Sequence, residues 1–422
     1  MAPVAPVMPT MSRFFTAASL PFLTVFCPFA AGYFLSFFFR HVNAVISKDL
    51  AGEFSLSPAD LGFLTSMYLL TFAAFQLPLG VLLDRYGPRR VVAGLMCSAA
   101  LGALVFGFAT DLTSLSIGRA LIGLGVSAGL MGAIKAFSLW FPLTRLGTMN
   151  GLYLAVGGLG SLAATVPAQA MVGAHGWRAM FFVMSALSLA AALLVFFVVP
   201  EKPLPGAGQT VRQQVAGFRV IFRSVAFWRI GLPLVIGQAI YLALQGLWLG
   251  PWLYDVAGEP RHGVANYLLV AALGYMGGSV FFGIAGDRLP RMTVYKVGLT
   301  ISLAMLMLIA AGVTTGLGAI LAIYAFTGIS AALAYALLTP LFPLEMTGRL
   351  NTASNVLLFA LSFALQWGIG AVLRLFPIVD GRYSPAGYAV AFSCLAAMQL
   401  AAMVWLLTLK SGSEPDFRKP RR

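Results

Sequence analysis

Three cations sit where a cation needs a reason. Arg40 falls in Phe37-Phe38-Phe39-Arg40-His41, Arg119 in Gly118-Arg119-Ala-Leu-Ile-Gly123-Leu-Gly125, and Lys135 shortly before Trp140-Phe141-Pro142, each inside a long apolar run. An ionised side chain at bilayer depth costs at least about 2.5 to 3.5 kcal/mol on insertion scales, so each must meet water, a partner or a ligand. All 13 acids read as lying in loops, tails or helix ends. The expectation is therefore that Arg40, Arg119 and Lys135 have no acidic partner at depth, and that an anionic substrate in a wet cavity supplies the missing charge. The plain alternative is snorkelling, Arg40 to the headgroups at one interface and Lys135 to those at the other. His41 is the only histidine within a span and is the nearest candidate for a proton relay.

Arg119 and Lys135 are 16 positions apart (135−119), about 160° of net rotation on a straight helix, so both cannot line one cavity. The smaller, softer residues lie on the face of Lys135, which assigns Lys135 to the pathway and Arg119 to packing or gating. Polar and aromatic side chains complete the expected binding set. Tyr68 stands in the second apolar run; Tyr241, Gln245 and Trp248 recur at helical spacing in the seventh; Asn355 and Gln366 form a polar face in the eleventh. Met180 and Met184 are read as core packing, and Cys27, Cys97 and Cys394 as small core residues without disulfide or zinc spacing. Neither a nucleophile–base pair, a phosphate loop nor a metal cluster stands out, so no enzymatic activity and no cofactor are expected.

The elements that position these residues follow from composition. Hydrophobic residues make up 60% of the 422 and charged residues 9%, far below the roughly one quarter of a soluble domain, which marks a polytopic, all-α membrane protein. Twelve runs of spanning length can be drawn, at 18–46, 58–82, 90–110, 113–140, 146–172, 177–199, 227–252, 263–286, 292–313, 316–340, 349–374 and 386–409. Pro251 is expected to bend or end the seventh. Of the 27 Lys and Arg, 19 fall on one side, five (Lys48, Arg178, Arg261, Arg374, Arg382) on the other and three inside spans. That bias places both termini in the cytoplasm, and it explains the net charge of +14 as topology and attraction to the lipid bilayer, without nucleic acid. Chain segments divide accordingly into 1–199, a polar linker at 200–226 with an amphipathic helix, 227–410, and a basic tail at 411–422.

A charged turn lies between the second and third runs: Gly80-Val-Leu-Leu-Asp84-Arg85-Tyr-Gly87-Pro88-Arg89-Arg90. Gly87-Pro88 stops the helix there. Gly283, Asp287 and Arg288 repeat Gly80, Asp84 and Arg85 after 203 positions (283−80, 287−84, 288−85), close to half the chain, so the molecule reads as two copies of one plan.

The turn resembles the signature of the major facilitator superfamily, G-x-x-x-D-R-x-G-R-R, and the weaker copy stands where that family places its second. The resemblance implies twelve transmembrane helices in two pseudo-symmetric six-helix bundles around a central cavity. It also implies a cytoplasmic gate latch of Gly80, Asp84, Arg85 and Arg89, with the aspartate against the start of the eleventh helix, and Gly283, Asp287 and Arg288 as its counterpart. Arg119 with its glycine-rich face resembles the family's helix-4 motif, whereas the antiporter motif of many drug exporters is missing from the fifth run. Arg40 resembles the first-helix arginine of the organophosphate antiporter and anion:cation symporter branches, and Lys135 a basic residue those branches carry. The second-half arginine of the phosphate-ester carriers is missing, which favours a monocarboxylate or amphipathic anion. The expected function is a monomeric secondary transporter, in a bacterial inner membrane, that moves a small organic anion, with a proton or counter-anion as the open coupling partner. Its rivals are an exporter of amphipathic or cationic drugs and a non-transporting sensor or scaffold.

Overall fold

The computed structural model describes residues 20–202, 219–343 and 346–408. Most of the expected amphipathic linker helix and the basic tail lie outside the described residues. The described chain is a run of helices: α1 (Phe22–His41), α2 (Asn43–Glu53), α3 (Pro58–Gly107), α4 (Leu112–Trp140), α5 (Leu143–Ala163) and α6 (Val166–Val198) in the first half. The second half holds α7 (Val225–Asp255), α8 (Arg261–Arg288), α9 (Arg291–Ala310), α10 (Leu317–Leu341), α11 (Thr347–Leu373) and α12 (Pro385–Leu407).

Local chemistry sets the starts and breaks. Ser57 caps α3 through a reciprocal box: its Oγ accepts the Asp60 N–H at 3.2 Å while the Asp60 carboxylate accepts the Ser57 N–H at 3.1 Å. Pro58 follows at the first helical position, where no N–H is needed. Asp111 caps α4 the same way, and the N–H and hydroxyl of Ser114 hold its carboxyl below the ordinary range. Gly87 breaks α3 at φ 79°, ψ 160°, and Gly176 breaks α6 at φ 79°, ψ 162°, a region open essentially to glycine alone. The second of these turns falls in the gap left between the runs drawn at 146–172 and 177–199. Pro251 does not end its helix: α7 runs on to Asp255, with a π-turn at Leu244–Trp248 just before the proline.

Eleven helices are long and apolar enough to cross a membrane, one fewer than the twelve runs drawn from sequence. The one left out is α5, whose 21 residues include Arg145, Asn150 and five glycines, diluting its hydropathy. Large apolar side chains such as Leu187, Leu193, Leu194 and Phe197 are exposed along α6, as a lipid-facing surface requires. Met180 and Met184 are core, as expected. The cysteines are not: Cys27, Cys97 and Cys394 are all exposed, because each sits on the outward side of its helix rather than the packed one.

The halves meet chiefly through α3 against α11, with α2 against α7 and with α5 and α6 against α8. On the face opposite the Asp84 turn this meeting is close. A Cβ added at Gly250 of α7 would stand 2.0 Å from the Ala44 carbonyl oxygen, and one at Gly370 of α11 would stand 2.3 Å from that of Pro58.

Candidate functional site

Arg40 lies in the last turn of α1 and is half-buried. Its guanidinium carbon stands over three ring faces, Phe37 at 4.6 Å, Phe72 at 5.4 Å and Phe359 at 5.2 Å. Phe72 of α3 and Phe359 of α11 are themselves 4.2 Å apart, so the two halves bring these rings together beside one positive charge. Tyr33 and Tyr275 lie within its electrostatic reach. Among the described residues no acid pairs with Arg40 and no hydrogen bond is made by it, and its Nε is buried without a partner. The π clouds stabilise the cation but accept none of its in-plane N–H bonds. What the arrangement offers is a fork of free donors in an aromatic surround, suited to a carboxylate or another oxyanion.

The remaining expected binding residues are more enclosed. Tyr241 stacks on Tyr275 at 4.5 Å, and Tyr275 donates to Gln238 Oε1 at 3.2 Å. Trp248 is fully buried and donates to the Gln366 carbonyl at 2.7 Å. Gln245 donates to the Leu268 carbonyl at 3.2 Å. The Oε1 atoms of Gln245 and Gln366 are buried without a donor, two acceptors that a substrate hydroxyl or a water would satisfy. Asn355 accepts from the Tyr335 hydroxyl at 3.0 Å on a half-buried face. Tyr68 is buried and donates to the Ser36 carbonyl at 3.1 Å. His41 is buried too, its Nδ1 shared between the Phe37 carbonyl and Ser161.

Two of the three cations have partners of their own, although the Nε of Arg119, like that of Arg40, is buried without one and no acid pairs with Arg119 among the described residues. Arg119 is 1% exposed, donates to the Phe39 carbonyl at 3.0 Å and lies over the Tyr68 ring, which ties α4 to α1 and α3. Lys135 corrects an expectation: it is ion-paired and hydrogen-bonded to Asp84, so a partner is present where none was foreseen. The reason is geometric. α4 is broken at residues 127 and 128, where it is not the straight helix used to count rotation, and Asp84, just before the Gly87 break in α3, stands against α4.

The signature turn is held by the same contacts. Asp84 is paired with Lys135. Arg89 donates to the Phe196 carbonyl at 2.7 Å, and Arg90 pairs with Glu201 at 2.7 Å, fastening the turn to the end of α6. Arg85 lies over the Tyr86 ring. The second-half turn is looser. Asp287 pairs with Arg291 one turn on at 3.3 Å, Arg288 is exposed, and a Cβ at Gly283 would meet nothing within 4 Å.

On the opposite face lies a charged cluster that the sequence did not reveal. Lys48 Nζ pairs with Asp255 Oδ1 at 2.6 Å, and Asp49 pairs with Arg261 at 2.7 Å, both across the halves. Asp255 Oδ2 accepts from the Tyr388 hydroxyl at 2.8 Å. These residues read as ordinary loop and helix-end charges, and no spacing rule joins positions some 200 apart.

The family profile described as Major Facilitator Superfamily matches residues 29–366. A probable sulfoacetate transporter of Cupriavidus necator is 24% identical over 83% of this chain and 79% of its own length. A probable nitrate/nitrite antiporter of Thermus thermophilus is 29% identical over 52% of this chain and 51% of its own length. A probable L-galactonate transporter of Escherichia coli is 26% identical over 58% of this chain and 56% of its own length. Among solved structures, a D-xylose-proton symporter superposes with a TM-score of 0.71 at 16% identity, covering 92% of this chain and 97% of that one. A bacterial homologue of the human lysosomal transporter Spinster, inward-facing and unoccupied, gives 0.69 at 18% identity, covering 91% of this chain and 94% of that one.

Proposed function

From the premise that the chain belongs to the Major Facilitator Superfamily, we propose that it carries a small organic anion of carboxylate type across the membrane by alternating access. The chain is an integral, multi-pass membrane protein of the secondary-transporter kind. The observation that carries the choice of cargo is Arg40, a half-buried guanidinium with neither acid nor hydrogen-bond partner among the described residues. Leaving such a group unpaired costs free energy, and a bound carboxylate removes the cost. Three relatives carry names that specify anions, sulfoacetate, nitrate or nitrite, and L-galactonate, which supports the reading.

The pairing of Lys135 with Asp84 moves Lys135 from the cargo to the signature turn and leaves Arg40 as the cation that meets the anion. The binding surface is then Arg40 with Phe37, Phe72, Phe359 and Tyr275, backed by Tyr241 and bordered by Asn355 and Gln366. The two halves, 1–199 and 227–410, move about this site, with the Asp84 turn and both termini on the cytoplasmic side of a bacterial inner membrane. A monomer suffices, because both halves of the site come from one chain. A proton or a counter-anion serves as the coupling partner.

Thermal-shift titration of the purified protein against carboxylates, sugar phosphates and lipophilic cations tests this. Carboxylates are expected to stabilise it, and Arg40→Ala to weaken their binding about tenfold to a hundredfold, the value of a charge-assisted hydrogen bond. Stabilisation by lipophilic cations, or equal carboxylate affinity in Arg40→Ala, defeats the anion reading; the first result would favour a drug exporter.

A further inference from the structure

Arg40 accounts for the head of a bound anion, and its surroundings say what the body must be. Phe37, Phe72 and Phe359 stand at 4.6, 5.4 and 5.2 Å from the guanidinium carbon. Each half extends this surface with a stack of its own. In the first, Phe37 meets Tyr33 edge-on at 4.9 Å, and Tyr33 stacks on Tyr153 of α5 at 4.2 Å. In the second, Tyr275 of α8 stacks on Tyr241 of α7 at 4.5 Å. Tyr33 and Tyr275 both lie within the electrostatic reach of Arg40, so the two stacks come together at one cation.

Phenyl rings offer no conventional donor or acceptor, and the polar hydrogens nearby are already committed. Tyr335 gives its hydroxyl to Asn355, Tyr275 to Gln238, and Trp248 its indole N–H to the Gln366 carbonyl. The orphaned Oε1 atoms of Gln245 and Gln366 add two acceptors and no donor, too few for the several hydroxyls of a sugar acid. A polyhydroxylated body laid on these rings would give up water and find little in return, at a cost for each hydroxyl. A cage of rings alone would suit an organic cation, but the guanidinium already in it repels one. A flat apolar ring meets neither objection. It buries area against the cage and gains edge-to-face or offset contacts with it.

We propose that the cargo is an aryl carboxylate, held by its carboxylate on the free N–H groups of Arg40 and by its ring against Phe72 and Phe359, which set the specificity. Those two rings are 4.2 Å apart, too close to admit a third between them, so the cargo lies against the pair. Phe72 belongs to α3 and Phe359 to α11, so one aromatic ring touches both halves of the carrier. The inference rests on the carboxylate reading above and adds the chemistry of the body to that of the head.

Isothermal titration calorimetry on the purified full chain tests it with four probes: benzoate, cyclohexanecarboxylate, gluconate and benzamide. Benzoate is expected to bind about twofold to tenfold more tightly than cyclohexanecarboxylate, which has the same charge and nearly the same size but no π face. Gluconate is expected to bind at least about tenfold more weakly than benzoate. Benzamide, the neutral counterpart, is expected to be weaker by a similar factor. Phe72→Leu and Phe359→Leu keep apolar bulk and remove a ring, and either should bring the ratio of benzoate to cyclohexanecarboxylate affinity toward one. That ratio is measured on one preparation, so it does not depend on how much of a variant is folded. A ratio near one in the parent, gluconate binding as tightly as benzoate, or a preference that survives in both variants overturns the aryl cargo and leaves the carboxylate reading standing. Benzamide binding as tightly as benzoate, or no binding by any carboxylate, sinks the carboxylate reading and this inference with it.

Discussion

Arg40 and Lys135 carry the same formal charge at similar depth, and their surroundings give them different work. Lys135 has spent its charge on Asp84, whereas Arg40 keeps its donors beneath three aromatic faces. Lys135→Met is therefore expected to leave carboxylate affinity within about threefold of the parent while lowering thermal stability by about 1–3 kcal/mol, since Asp84 loses its partner. Adding Asp84→Asn to Lys135→Met should recover part of that loss. Tryptophan-fluorescence titration and thermal unfolding on the same preparations check both halves of the statement. An affinity loss in Lys135→Met as large as that of Arg40→Ala would return Lys135 to the binding site. What the sequence made legible here was the burden, three cations in apolar runs. It could not show which burden was already met, because the acid that meets Lys135 comes from another helix across a break in α4. The rings that flank Arg40 from α3 and α11 were illegible for the same reason; phenylalanine in an apolar run carries no sign of what it faces.

Helices and turns show a repetition finer than the 203-residue one. Gly87 and Gly176 adopt nearly the same backbone angles, and each is followed two positions later by an arginine that reaches a distant carbonyl and an acid. Arg89 takes the Phe196 carbonyl at 2.7 Å and lies 3.9 Å from Glu201; Arg178 takes the Ala109 carbonyl at 3.0 Å and pairs with Glu53. The two turns stand on opposite faces of the first half, as inverted three-helix repeats within a six-helix bundle would place them. Trp177 adds a bond from its indole N–H to Glu53 at 2.8 Å. The sequence reading left a break here but not its likeness to the first turn, because Gly176-Trp177-Arg178 shares only glycine and arginine with the signature, too little to single it out. Its glycine is nonetheless required: Gly176→Ala should cost about 1–3 kcal/mol, since a side chain at φ 79° with extended ψ is strained whatever the space around it. Gly173→Ala, in the same helix with open space at its Cβ, should be neutral or mildly stabilising. Comparing the two by thermal unfolding isolates the backbone, and equal melting temperatures would refute the argument.

At the scale of the molecule, the family and its two-fold plan were readable from one charged turn and its echo, but the arrangement of the halves was not. Which face is closed depends on contacts between them, and those rest on positions that look unremarkable in sequence. Gly250 and Gly370 are the clearest, because the atoms a Cβ would strike belong to backbone, Ala44 at 2.0 Å and Pro58 at 2.3 Å, and no rotamer change can relieve them. Gly250→Ala should thus hold that face apart. Overpacking costs ~1–3 kcal/mol, about fivefold to a hundredfold in the balance between arrangements. The rate at which a membrane-impermeant maleimide labels a cysteine placed at Ser47, a 2% exposed position on α2, should rise accordingly. A steric wedge acts equally at low and high ionic strength, so the rise should not depend on salt. Gly348→Ala, with nothing within 4 Å of its Cβ, should leave the rate unchanged. If Gly250→Ala also leaves it unchanged, the halves close without that backbone contact and the argument from close approach fails.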